Sequence, residues 1–187
     1  MAILRCIGLL PLVLICSACG VASQPKSSQT VAAYEIPLPT EAERAEFLSL
    51  LSAVAEAEGL HVDSADPEYL RRTAEIMPAA EMTIHAAVWR GTEDDDSEAV
   101  IMDQQGHLGQ VWIMFSKGKN PELGRQFRDK AMERILERWP QTLSLPIMPS
   151  GAIPLHEDLV RTPTGYQVKS SAEAKYSDPD SASDRGR

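Results

Sequence analysis

Two segments in the middle of the chain, in which side chains form two sets at every second position, constrain its fold more than any other feature. In residues 82–89 the set of Met82, Ile84, Ala86 and Val88 alternates with a mixed set, in Gln110–Ser116 the set of Val111, Ile113 and Phe115 alternates with Trp112 and Met114, and residues 98–103 form a short apolar run between them. A period of two is typical of half-buried strands, and residues 93–96 and 104–107 have the composition of turns. We therefore predict three consecutive strands that pair as an antiparallel meander.

A helix is predicted on the amino-terminal side of this meander. Thr40 and Glu43 have the spacing of a capping box, in which each side chain bonds to the backbone N–H of the other residue. Apolar residues then recur at helical spacing as far as Gly59, which predicts a helix over residues 41–58. A segment that opens with proline indicates a second, shorter helix over residues 67–76.

Another long helix is predicted after the meander. Asn120 is a favourable residue at a helix start and Pro121 suits the first helical position, while Pro140 ends the pattern. Its apolar stripe consists of Ala131, Ile135 and either Leu136 or Trp139.

Further strands are predicted over residues 34–38, 59–64 and 143–148. A sheet with helices packed on one face is the economical arrangement for this order of elements. We therefore predict an α+β domain over residues 33–148, with an antiparallel sheet and two long helices on one face, and a ferredoxin-like variant as the favoured topology.

The carboxyl-terminal part of the chain divides into two segments by composition. Residues 149–169 combine prolines with apolar residues such as Leu159 and Tyr166, which predicts an ordered arm that packs on the domain. Residues 170–187 are rich in Ser, Asp, Ala and Arg and are predicted to be disordered.

The amino terminus has the layout of a secretory signal. Arg5 precedes an apolar stretch over residues 6–15 that is too short to span a bilayer, and small residues follow it. The sequence Ser17-Ala18-Cys19 after this stretch resembles the lipobox of bacterial lipoproteins. The resemblance implies that residues 1–18 are a signal peptide and that Cys19 receives acyl chains, which act as a membrane anchor. Residues 19–32 would then be a flexible tether.

Two further features concern the location of the mature chain. Gly20 after the acceptor implies, from the same resemblance, the outer membrane with the domain facing the periplasm. Cleavage after Ala22 is the alternative, and it would release a secreted, soluble protein.

All three cysteines lie in residues 1–19, so the mature chain cannot form an internal disulfide.

The charge balance excludes nucleic acid as a partner. The chain has 18 basic and 27 acidic side chains, and removal of residues 1–18 takes away only Arg5. Proteins that bind nucleic acid neutralise phosphates with clustered Lys and Arg, which this composition does not offer. The same sequence contains no motif for a cofactor.

Lys117, Lys119 and Asn120 are the candidate small-ligand residues. They lie directly before the second long helix, where backbone N–H groups attract anions, and Gly118 between the lysines adds freedom to the turn. The P-loop pattern is absent, so the prediction is limited to a simple anion or headgroup site. The alternative is that these residues form a solvated face.

No metal site and no catalytic residue are predicted. His61 and Asp63 would share a strand face with His85 nearby, but no compact ligand spacing is present. The acidic run 93–98 lacks the glycine and terminal Glu of an EF-hand and is better explained as a solvated loop. The serine-nucleophile pattern G-x-S-x-G is also absent.

These observations predict a lipid-anchored cell-envelope protein with a binding or scaffolding domain. The membrane would be reached through the lipid anchor, and an envelope protein partner would bind at the sheet and the arm around residues 147–166. The alternative is a small periplasmic ligand-sensing domain or hydrolase that uses the cleft between the meander hairpin and the second long helix. Its candidate residues are His85, His107 and Lys119.

Overall fold

The computed structural model contains eight strands and two long helices, and it describes residues 29–64, 85–91, 97–105, 109–149 and 151–176. The elements in chain order are β1 (Thr30–Pro37), α1 (Glu41–Ala57), β2 (His61–Ser64), β3 (His85–Trp89), β4 (Ser97–Gln105), β5 (Gln110–Ser116), α2 (Pro121–Arg138), β6 (Leu143–Ser144), β7 (Leu159–Thr162), β8 (Gly165–Val168) and the short α3 (Glu173–Tyr176).

The strands form one sheet in the order β2-β3-β4-β5-β1-β6-β8-β7. All neighbours are antiparallel except β6 and β8, which run parallel where Ser144 pairs with Gly165. The sheet is therefore mixed, whereas the sequence predicted a wholly antiparallel one. The difference arises because the chain leaves β6 through the arm and returns as the β7–β8 hairpin, a long-range pairing without a local sequence signal.

Local capping explains where α1 begins. The Thr40 Oγ1 accepts a hydrogen bond from the Glu43 backbone N–H at 3.2 Å, and Glu43 Oε2 accepts from the Thr40 N–H at 3.2 Å. This is the predicted capping box. The helix ends at Ala57, one residue before the predicted end, and Gly59 follows with a positive φ of 70°.

The second long helix also begins as predicted. The Asn120 side chain accepts hydrogen bonds from the N–H groups of Glu122 and Leu123, and Pro121 occupies the first helical position. Trp139 completes the apolar stripe, since it is 1% exposed, whereas Leu136 is 44% exposed.

Both helices pack on the same face of the sheet. In β5, alternate residues point into this interface, which is the main hydrophobic core. Its fully buried large side chains are Ile36, Leu38, Phe47, Leu51, Val88, Ile101, Ile113, Phe115, Phe127, Ile135 and Trp139.

The opposite face of the sheet is covered near β1 and β5 by the arm. A second buried cluster of Ala33, Trp112, Leu145 and Leu159 forms there. Of the predicted strand 143–148 only two residues belong to β6, although the Leu145 N–H still donates to the Ala33 carbonyl at 2.9 Å. The arm is therefore part of the fold, and it supplies β7 and β8.

Two boundaries differ from those predicted by composition. β1 begins at Thr30, three residues before the predicted domain start, because Thr30 and Ala32 pair with Ser116 and Phe115 of β5. The disordered tail was predicted from residue 170, but α3 lies within it. Tyr176 is 7% exposed and its hydroxyl accepts a hydrogen bond from the Leu155 N–H at 3.0 Å.

Residues 1–28 and the predicted short helix over residues 67–76 lie outside the described residues. Among the helices that the structure does describe, none combines the length and the apolar character needed to cross a bilayer.

Candidate functional site

A buried carboxylate lies where the arm meets the sheet. Glu35 of β1 is only 3% exposed. Its Oε2 accepts a hydrogen bond from the Trp112 indole N–H at 2.9 Å, and its Oε1 accepts from the Tyr166 hydroxyl at 2.6 Å. Glu35 and Trp112 are directly opposite each other on β1 and β5, whereas Tyr166 belongs to β8 of the arm. The carboxylate thus connects the sheet to the segment that covers it.

His156 completes this group, which we call the arm cluster: Glu35, Trp112, His156 and Tyr166. The His156 ring lies close to both aromatic rings, with centroids 6.2 Å from Trp112 and 5.8 Å from Tyr166. Its Nε2 is 3.7 Å from Glu35 Oε2, beyond hydrogen-bond distance, and has no other partner among the described residues. The arm cluster therefore brings three titratable groups together.

The pKa of Tyr166 rises to about 12, mainly because burial disfavours the phenolate. The hydrogen bond to Glu35 and the negative charge of that carboxylate raise it further. The neutral phenol is therefore the form that holds the arm on the sheet at ordinary pH.

This shift predicts a loss of stability at alkaline pH. A tyrosine in the unfolded chain ionises near pH 10, while Tyr166 in the folded chain ionises near 12. The unfolded state therefore loses the proton first, and the contribution of Tyr166, present in full below pH 10, decreases as the pH rises towards 12. Urea midpoints measured from pH 9 to 12 should fall more steeply for the native chain than for Tyr166→Phe. Equal slopes would contradict the assignment.

A small cleft opens beside the arm cluster. Its volume is about 180 Å³, and Trp112 and Met114 of β5 line it together with arm residues Ile153 and Leu155. Trp112 is common to the cleft and the arm cluster, since it lines the cleft and its indole N–H bonds to the Glu35 carboxylate. Polar and apolar surface line the cleft in nearly equal parts, and it has room for a small group only.

The predicted anion-site residues lie together in the turn between β5 and α2. Asn120 caps α2, Lys119 is exposed, and the Lys117 N–H donates to the Gln29 carbonyl. Glu98, which the sequence predicted to be solvated, is 2% exposed and packs against this turn. Its Oε1 accepts from Arg90 Nε at 2.6 Å.

The Glu98 side chain of β4 packs against the turn before α2, at Gly118, and against α2 itself, at Gly124. A Cβ atom at Gly118 or Gly124 would lie only 2.8 or 2.9 Å from Glu98 Oε2, so a side chain at either position would displace the Glu98 carboxylate. Within the described chain, Oε2 has no hydrogen-bond partner. The nearest anion to the predicted site is thus a carboxylate of the protein itself, and the turn gives no further sign of a ligand.

The histidines considered for metal binding do not form a described site. His61 Nε2 is 3.8 Å from Asp63 Oδ2 on the exposed side of β2. His85 belongs to β3, but its side chain lies outside the described residues, as does His107. No group of three metal-ligating side chains occurs in the part of the chain that the structure describes.

The tryptophans do not line one common cleft. Trp112 packs under the arm, whereas Trp139 lies in the core on the helical face of the sheet. The main function of Trp139 is therefore packing.

A larger groove lies on the outer surface between α1 and α2. Its volume is about 730 Å³. Leu50, Ala53, Val54 and Ala57 of α1 form an apolar floor, and charged side chains of both helices form the walls. The sequence did not predict this groove.

The sequence also did not single out Glu35, His156 or Tyr166 as a group. The one available signal was an acidic residue between Tyr34 and Ile36 in an otherwise apolar strand. Cys19, the predicted lipid acceptor, lies outside the described residues.

No protein-family model matches this chain, and no curated protein matches it in sequence.

Proposed function

We propose that this chain is a lipid-anchored cell-envelope protein whose domain binds an envelope protein partner through the arm. Cys19 carries the lipid, and the residues before β1 separate the domain from the membrane. Support for the anchor comes from the sequence around Cys19. Support for the binding surface comes from the edge of the sheet.

We also propose a ferredoxin-like variant as the topology. The strand order β4-β5-β1-β6, with α1 and α2 on one face, supports it. In this description β2 and β3 extend the sheet at one edge, and the β7–β8 hairpin extends it at the other. The added hairpin is then the feature that distinguishes this domain.

The observation that carries the binding proposal is the position of β7. Leu159–Thr162 pairs with β8 on one side and is the last strand of the described sheet on the other. An edge strand presents unpaired N–H and C=O groups, which a partner strand can complete. Val160 is 46% exposed on this strand, and Leu155 just before it is also 46% exposed.

The arm cluster makes this edge a fixed surface. Tyr166 lies opposite Arg161 in the hairpin, and its hydroxyl is bonded to the buried Glu35. Lys175 also donates to the Asp158 carboxylate at 2.6 Å just before β7. A partner strand would meet a preformed edge and would lose less conformational entropy on binding.

One experiment in intact bacteria that process lipoproteins tests both parts of the proposal. The full chain is expressed with a photo-crosslinking residue in place of Val160, with and without Cys19→Ser. We expect an acylated mature mass and membrane partition that are lost in Cys19→Ser. We also expect a reproducible crosslinked envelope protein from position 160.

Val31 supplies the matched control position, since it is 42% exposed on β1 outside the arm. The same adduct from positions 31 and 160 would contradict binding at the edge. A soluble chain that begins at Ser23 would contradict the anchor. Absence of any adduct would favour the alternative, a ligand-sensing domain or hydrolase that uses the cleft between the meander hairpin and the second long helix.

A further inference from the structure

The groove between α1 and α2 has walls of opposite charge. The α1 wall contains Glu46 and Glu58, and the α2 wall contains Lys130 and Arg134, with Arg138 at its end. Glu133 and Glu137 are the exceptions, two acidic residues on the α2 side. The groove therefore offers an apolar floor between an acidic α1 side and an α2 side on which basic residues outnumber acidic ones.

Two ion pairs show how the helices are aligned. Lys130 pairs with Glu58, and Arg138 Nε pairs with Glu46 Oε1 at 2.7 Å. The later residue of α2 therefore meets the earlier residue of α1, so the helices run antiparallel. Acidic and basic groups lie at matching levels along the groove.

We propose that this helical face binds the same face of a second copy of the chain, related by a twofold axis along the groove. Such an axis places α1 of one copy over α2 of the other. Glu58 of each copy then lies at the level of Lys130 of the other, and Glu46 at the level of Arg138. The apolar floors meet between these charges.

Charge selects this occupant over others. A partner of one sign would match only one wall, because the groove has an acidic side and a basic side. The whole chain carries a net charge of −9, so two copies repel each other overall, and a face that pairs opposite charges offsets this repulsion. A twofold axis across the helices would place acidic α1 over acidic α1, which disfavours that alternative.

The size of the face indicates a reversible dimer. Helices of 17 and 18 residues are about 26 Å long, and two of them side by side cover roughly 500 Å² per copy. Stable complexes bury about 800 Å² per partner. We therefore expect association that depends on concentration.

The test uses two differently tagged copies of the full chain, co-expressed and captured through one tag. A swapped variant carries Glu46→Arg, Arg138→Glu, Glu58→Lys and Lys130→Glu, so each ion pair within the chain is retained with its polarity reversed. We expect native copies to capture native copies and swapped copies to capture swapped copies. Mixed capture should fall by about tenfold, because like charges then face each other across the interface.

Two results would overturn the proposal. One is mixed capture as efficient as capture of like by like. The other is a native full chain that sediments as a monomer at every concentration, a measurement that does not depend on the swapped variant folding. Val160→Arg alters the edge strand β7 and leaves the groove unchanged. Capture of native copies that persists in this variant would show that the dimer forms through the helical face and not through the arm edge.

Discussion

Replacement of Glu35 by alanine should lower the free energy of unfolding by about 3 kcal/mol and release the arm from the sheet. The substitution removes the acceptor of two donors, the Trp112 indole N–H and the Tyr166 hydroxyl. A buried donor without an acceptor costs about 1–3 kcal/mol. Urea unfolding measures the loss of stability, and limited proteolysis measures exposure of residues 145–168.

Two variants make this result specific. Glu157→Ala removes an exposed carboxylate of the arm, and its stability should change by about 0.5 kcal/mol or less. Glu35→Gln keeps one acceptor oxygen and should lose less stability than Glu35→Ala. If Glu35→Ala were as stable and as protease-resistant as Glu157→Ala, the arm cluster would not hold the arm.

Trp139→Ala should destabilise the domain by about 3–5 kcal/mol. The side chain is 1% exposed and packs edge-to-face on Phe47, with ring centroids 5.9 Å apart. Its indole N–H has no hydrogen-bond partner among the described residues, so the expected loss comes from packing and from the cavity left behind.

Leu136→Ala is the matched control because Leu136 lies in α2 three residues before Trp139 but is 44% exposed. Its stability should change by about 0.5 kcal/mol. The sequence left open whether Leu136 or Trp139 belongs to the apolar stripe of this helix. Chemical denaturation of the two variants distinguishes these two possibilities. Equal losses would mean that Trp139 is not a core residue.

Elements with local signals could be predicted from the sequence. The capping box at Thr40 and the Asn120-Pro121 pair are local signals that mark where the two long helices begin. The alternation of side chains predicted both ends of β5 correctly. These features depend on residues only a few positions apart. The α+β class follows from them.

The arm cluster could not be predicted in the same way. An acidic residue in an alternating strand, such as Glu35, normally faces solvent. Its burial depends on an arm that joins the sheet after residue 145. The hairpin of the arm was also obscured by Pro163, which lies in the turn between β7 and β8 and not in a strand. Glu98 was predicted to be solvated for a similar reason, since its partner Arg90 and the turn before α2 enclose it only after folding.

The hydrogen bond between Tyr166 and Glu35 joins residues 131 positions apart. A contact of such long sequence separation is slow to form, because the ends of a long loop must first be brought together. The helices and the β4–β5 hairpin rely on closer contacts and can form first. We therefore infer that docking of the arm is a late folding step. A chain synthesised from its amino terminus then leaves the Trp112 face of its sheet uncovered until the last fifth of the polypeptide has emerged.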